Sequence, residues 1–196
     1  MSDNYKTLYE KSRQKFLAFP QEPMIAHFGL ESDGERIFVP SLDRVLTLSR
    51  ADGSVSVDGT PVGSTTAMAL YDALSRASDA PVLAGRWASF VDFGGNTAIS
   101  HLETLRPEPD ALRGKCGELE ALFRRWGGEK ERQGDVSYVL RFFSFFPVWL
   151  RFWDGDEEFP PQLNVLWDAN SLRFMHYETL WYVFGALREL ILQELN

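Results

Sequence analysis

The run Val136-Ser137-Tyr138-Val139-Leu140-Arg141-Phe142-Phe143-Ser144-Phe145-Phe146-Pro147-Val148-Trp149-Leu150-Arg151-Phe152-Trp153 carries the strongest β-signal in the chain. Val136, Tyr138, Leu140 and Phe142 alternate with Ser137, Val139, Arg141 and Phe143, the two-residue period of a pleated strand. Val148 to Trp153 forms a second such run, and Leu163 to Trp167, after Pro160-Pro161, a third. The loop Asp154-Gly155-Asp156-Glu157-Glu158 separates the last two. Three sequential strands with short connections predict an antiparallel C-terminal meander.

Downstream, Leu180, Val183, Phe184, Leu187, Leu190, Ile191 and Leu195 trace one apolar stripe, predicting a long amphipathic helix from about Glu178 to the end of the sequence. Upstream, Ala111 to Trp126 reads as a helix stopped by Gly127-Gly128. Gly85 to Asn96 is rich in turn residues and holds Trp87 and Phe90 without a readable period. A helix capped by Ser64 is marked by Ala67, Leu70, Tyr71 and Leu74 at helical spacing and is expected to pack on a small N-terminal meander. That meander comprises Ile37 to Val39, Val45 to Leu48 and Val55 to Val57, punctuated by Asp52-Gly53 and Asp58-Gly59. Tyr5 to Phe19 reads as a first helix, with Pro20 and Pro23 stopping it. No repeat or linker divides the sequence, so a single α+β domain over 1–196 is expected, its antiparallel sheets packed against helices.

Composition excludes several function classes. Lys and Arg total 20 against 28 Asp and Glu, a net charge of −8, and Arg124-Arg125 is the longest basic cluster. Neither nucleic acid nor an anionic membrane is an expected partner. The only cysteine is Cys116, so no intrachain disulfide can form. Met1 to Lys6 lacks the basic and apolar regions of a secretory signal, and Arg141, Pro147 and Arg151 interrupt the most hydrophobic window. A cytoplasmic setting is the expectation. The 15 Phe, 6 Trp and 6 Tyr supply large contact areas suited to cores, pockets and interfaces alike.

Several residues are candidates for chemistry. Trp149, Arg151 and Trp153 alternate and so share one strand face, and Trp167 is expected to join them from the next strand. An arginine between two indoles suits recognition of a carboxylate or phosphate, and a flat indole surface suits a sugar or cofactor ring. The competing reading is a face sealed by the terminal helix. Asp154, Asp156, Glu157 and Glu158, with Asp168 one strand later, gather hard oxygen ligands. Their spacing is not that of an EF-hand, because Phe159 and Val165 stand where Gly and Glu are required, and a solvated hairpin connection is the alternative. His176, beside Tyr177 and Glu178 at a helix start, offers an acid or base, or a capping group. His27 and His101 show no paired metal spacing. Cys116 lies beside Lys115 and near Arg113, a setting that lowers a thiol pKa unless the side chain is inert. Gly94-Gly95-Asn96-Thr97 before Ala98 to Leu102 offers a helix N-terminus or an ordinary turn.

Trp153-Asp154-Gly155-Asp156-Glu157-Glu158-Phe159-Pro160-Pro161, the preceding Pro147 to Phe152, and Val165-Leu166-Trp167-Asp168-Ala169 together resemble a bacterial and archaeal family catalogued as domain of unknown function 3786. Gly85-Arg86-Trp87-Ala88-Ser89-Phe90, with Gly94-Gly95 following, resembles that family's middle motif. The resemblance covers most of the chain. It implies a setting in anaerobes and an accessory role in redox or one-carbon metabolism, some relatives joining the domain to a Cys-rich iron–sulfur segment whose cysteines this sequence lacks. It assigns no catalytic residue and no cofactor.

The reading reached is a non-enzymatic accessory module that binds a small molecule or a protein through Trp149, Arg151, Trp153, Trp167 and the loop Asp154 to Glu158, with Asp168 and His176 nearby. The alternatives are a metal-dependent enzyme whose ligands are Asp154, Asp156, Glu158 and Asp168 with His176 as acid or base, and a homodimerising structural protein.

Overall fold

The computed structural model describes residues 3–94 and 109–195. Of the helix N-terminus or turn read at Gly94 to Leu102, everything after Gly94, including His101, lies outside the described residues. Among the described residues the α-helices are α1 (Asp3–Ala18), α2 (Gln21–Phe28), α3 (Ser64–Leu74), α4 (Cys116–Arg125), α5 (Ser171–Phe174) and α6 (Tyr177–Leu195). The chain forms two compact units, Met1–Leu83 with Asn170–Ala186, and Ala84–Ala169 with Leu187–Asn196. Among the described residues each contains one five-stranded antiparallel sheet, and the protein is α+β.

In the first unit, α2 corrects the expectation that Pro20 and Pro23 end helical structure. Pro20 precedes the helix and Pro23 falls in its first turn. A proline there removes an N–H that has no intrahelical acceptor, so the helix loses nothing. The sheet runs β1 (Glu31–Ser32), β2 (Arg36–Ser41), β3 (Arg44–Ser49), β4 (Val55–Val57), β5 (Thr60–Pro61) in spatial order. The three expected strands are present, flanked by two-residue edges too short to show a period. Asp58 at φ 49 and Gly59 at φ 80 make the two-residue turn between β4 and β5. Gly63 rather than Ser64 stands before α3, without a side-chain cap. The helix is buried nearly all round, from Ala67 to Leu74. Tyr71 of α3 stacks on Phe16 of α1 at 5.6 Å, and its hydroxyl donates to the Gly53 carbonyl, in the β3–β4 connection, at 2.5 Å.

The second unit's sheet has the order β6 (Trp87–Ala88), β10 (Gln162–Asp168), β9 (Phe146–Trp153), β8 (Val136–Phe143), β7 (Glu129–Lys130). Its centre is the expected three-strand meander. Register sorts the side chains into two faces. Val136, Tyr138 and Leu140 of β8 oppose Phe152, Leu150 and Val148 of β9, which in turn oppose Leu163, Val165 and Trp167 of β10. All of these are buried, forming the core face. Helix α4 packs there, with the Phe123 ring 5.8 Å from that of Tyr138. Gly127-Gly128 ends α4 as expected: Gly127, at φ 71, donates to the Arg124 carbonyl and Gly128 to that of Phe123, a left-handed stop that satisfies two end carbonyls.

Of the stripe on α6, Leu180, Val183, Phe184, Leu187 and Ile191 are buried, whereas Leu190 and Leu195 are half-buried. No helix among the described residues is long and apolar enough to cross a membrane.

Candidate functional site

The opposite face of the second unit's sheet is only partly covered. Trp149, Arg151 and Trp153 stand on it, across the ladder from Leu166, Asn164 and Gln162. Asn164 and Gln162 are exposed, and Arg151, Trp153 and Leu166 half-buried. The guanidinium carbon of Arg151 lies 5.3 Å from the Trp149 ring centroid and 5.4 Å from that of Trp153, so the cation sits between two indoles. The period-2 spacing predicted this arrangement.

Trp167 does not take part. It opposes Val148 rather than Trp149, and antiparallel partners share a face. Trp167 therefore belongs to the core face and is fully buried.

Other residues complete the row. Trp87 of β6 pairs with Asp168 and is thereby on the same face, its ring 5.5 Å from that of Trp149. The Trp149 indole N–H donates to Ser137 Oγ at 2.9 Å, fixing that ring. Gln133, in the β7–β8 connection, accepts from an Arg151 terminal nitrogen at 2.7 Å. Gly134 allows this approach: a Cβ there would meet the Phe152 carbonyl at 2.7 Å. Trp87 and Ser137 come from other strands, where only register could reveal them, and Gln133 comes from a connection that has no register. Arg151 has no carboxylate partner among the described residues, and its buried Nε has no hydrogen-bond partner. Burial lowers its pKa below the ordinary guanidinium value, because removing the charge from water disfavours the charged form.

The acidic residues have separate structural tasks. Asp168 is buried, and its two oxygens accept the N–H groups of Ala84 and Gly85, each at 2.8 Å. It stands at the far end of β10 from the acidic loop, six residues or about 20 Å along the strand. Asp154 accepts from the Gly114 N–H at 2.7 Å and from the Cys116 thiol at 3.7 Å. Asp156 Oδ1 accepts the N–H groups of Glu158 and Phe159, each at 2.8 Å, and these bonds, Phe159's first, lower its pKa. Glu157 and Glu158 are exposed. Thus the alternative in which Asp154, Asp156, Glu158 and Asp168 gather does not form: Asp168 lies at the other end of β10, Glu158 is exposed, and backbone amides occupy oxygens of Asp154, Asp156 and Asp168. Among the described residues no group of three or more His, Cys, Asp or Glu is placed to hold a metal ion. Of the two readings of Cys116, the inert one fits: burial first, then the Asp154 charge, pushes its thiol up to about 11.

His176 belongs to the first unit and precedes α6. Its Nδ1 lies 2.7 Å from Asp72 Oδ1, and its backbone N–H donates to Asp72 Oδ2 at 2.7 Å. Sequence offered no sign of this pairing, since Asp72 is 104 residues away. A cavity of about 300 Å³ adjoins the pair, lined by residues of α1, α3 and α6 together with His176.

No curated protein and no solved structure matches the chain. The family model described as a domain of unknown function, DUF3786, matches residues 21–189, and the chain belongs to that family.

Proposed function

We propose that the protein is a non-enzymatic accessory module that binds a small anionic ligand, a carboxylate or phosphate carrying an apolar or ring-shaped body, on the Trp87, Trp149, Arg151 and Trp153 face. The observation that carries this reading is Arg151: a half-buried guanidinium held between two indoles with no carboxylate partner among the described residues, in a protein whose net charge is −8. Twenty-eight acidic residues offer many possible partners, and a cation left without one suits an external anion. Gln133 fixes one terminal nitrogen, while Asn164 and Gln162 border the row with amide groups able to donate or accept. The proposed setting is the cytoplasm, consistent with a chain whose only cysteine is a free thiol.

Fluorescence titration of the full chain tests this, with phosphate, acetate and benzoate as probes and the indoles as reporters. The expected result is a saturable change with at least one probe. Arg151→Gln should weaken that binding by roughly 10-fold to 100-fold, the worth of a charge-assisted hydrogen bond. A wild-type chain that responds to none of the three, or a variant that binds as tightly as wild type, removes the proposal.

A further inference from the structure

We propose that the cavity between α1, α3 and the start of α6 is a second small-molecule site, in which His176 accepts a proton from a weakly acidic hydroxyl compound of the phenol class. The cavity, about 300 Å³, is at the small end of ligand pockets. Leu8, Met68 and Tyr182 give it apolar and aromatic lining, while Lys15 and His176 supply a cation and a base. A ring with one ionisable hydroxyl matches that combination, since its body meets the apolar wall and its oxygen the polar groups.

Asp72 determines what His176 can do. Its carboxylate only accepts hydrogen bonds, so the imidazole Nδ1, 2.7 Å from Oδ1, carries the proton. In the neutral ring Nε2 is then left as the acceptor. The backbone N–H of His176 and the hydroxyl of Thr179 both donate to Oδ2 at 2.7 Å, holding the carboxylate in place. The Asp72 side chain is 11% exposed and that of His176 52%, so the orienting group is shielded and the ring reachable. Arg76, with Nε 4.0 Å from Asp72 Oδ1, and Glu178 in the cavity wall complete the nearby charges.

The step is a proton transfer alone. The ligand's O–H bond breaks and an N–H bond forms at Nε2. The imidazolium is balanced by Asp72, and the oxyanion is left within the field of Lys15. No electron transfer occurs and no group departs.

The probe is 4-nitrophenol, whose phenolate absorbs at longer wavelength than its neutral form. Titrated into the full chain at a pH just below the probe's own ionisation, it should give a saturable phenolate band that unsubstituted phenol displaces. His176→Gln keeps a polar side chain but removes the base, and should abolish the band while leaving the melting temperature near wild type. Lys15→Met, on an exposed part of α1, should weaken binding by about tenfold. Absence of a saturable band with the wild-type chain overturns the proposal, as does an undiminished band in His176→Gln or in Lys15→Met.

Discussion

Trp167 and Val148 stand directly opposite one another in the β9–β10 ladder, which places Trp167 on the core face, while Trp153 opposes Gln162 on the other. The Trp167 ring lies 5.2 Å from Phe90 and 6.2 Å from Phe146 and is fully buried. Trp167→Ala should therefore cost about 3–5 kcal/mol, the range for emptying a large aromatic site. Trp153→Ala, at a half-buried position, should cost about 1 kcal/mol or less while removing anion binding. Chemical denaturation of the two variants measures the difference, and equal losses would contradict the assignment of faces.

How far these features could be read beforehand follows from their range along the chain. β8, β9 and β10 were visible because alternation is local, and so was the stacking of Arg151 between Trp149 and Trp153, which needs only period 2. Trp167 lies on the face opposite to the one its position suggests, because its face depends on register across the acidic loop, and a one-residue slip exchanges faces. The edge strands β6 and β7, two residues each, have no period to find. Helix α2 was hidden because Pro23 is a stop signal in a helix interior but harmless in a first turn. The Asp72–His176 pair bridges 104 residues, and neither neighbourhood announces the other.

Asp168 ties the turn at Ala84-Gly85 to the end of β10 through two backbone N–H groups, each at 2.8 Å. Asp168→Asn changes little in size, but it removes the charge and presents an NH₂ group to one of those donors. A charge-assisted bond contributes about 1.5–3 kcal/mol, and a loss of that order is expected in the denaturant midpoint. Retained stability would show that the turn is held by other contacts.

The thiol of Cys116 is pushed up to about 11, by burial first and by the Asp154 charge second. At pH 8 the thiolate fraction is then on the order of one in a thousand, and the thiolate is the reactive form. Alkylation by iodoacetamide should rise about tenfold per pH unit from 8 to 10 without levelling. Asp154→Asn should bring the plateau to lower pH without restoring an ordinary thiol, since burial remains. The stability consequence has the matching sign: in the unfolded chain the thiol ionises first, so its contribution is intact below the ordinary thiol pKa and is lost as pH rises towards about 11. A rate that levels near the ordinary thiol pKa would contradict the burial.

Two glycines should respond in opposite directions to alanine. Gly155, at φ 76, opens the acidic loop where a Cβ would meet the Phe159 carbonyl oxygen at 2.5 Å, the Pro161 nitrogen at 2.6 Å and the Pro160 carbonyl carbon at 2.7 Å. These contacts are all backbone and two of the three are with prolines, so the chain cannot yield without rebuilding the loop. Gly155→Ala combines a left-handed conformation costing about 1–2 kcal/mol with that collision, and a destabilisation of about 2 kcal/mol or more is expected. Gly185 lies inside α6 with helical backbone, and a Cβ added there meets nothing within 4 Å. Gly185→Ala should stabilise by about 0.5–1 kcal/mol, because glycine loses more backbone freedom than alanine when the helix forms. Thermal and denaturant unfolding of both variants provide the check. A neutral Gly155→Ala would mean that the loop adopts a different path from the one in which Asp156 receives the Glu158 and Phe159 amides.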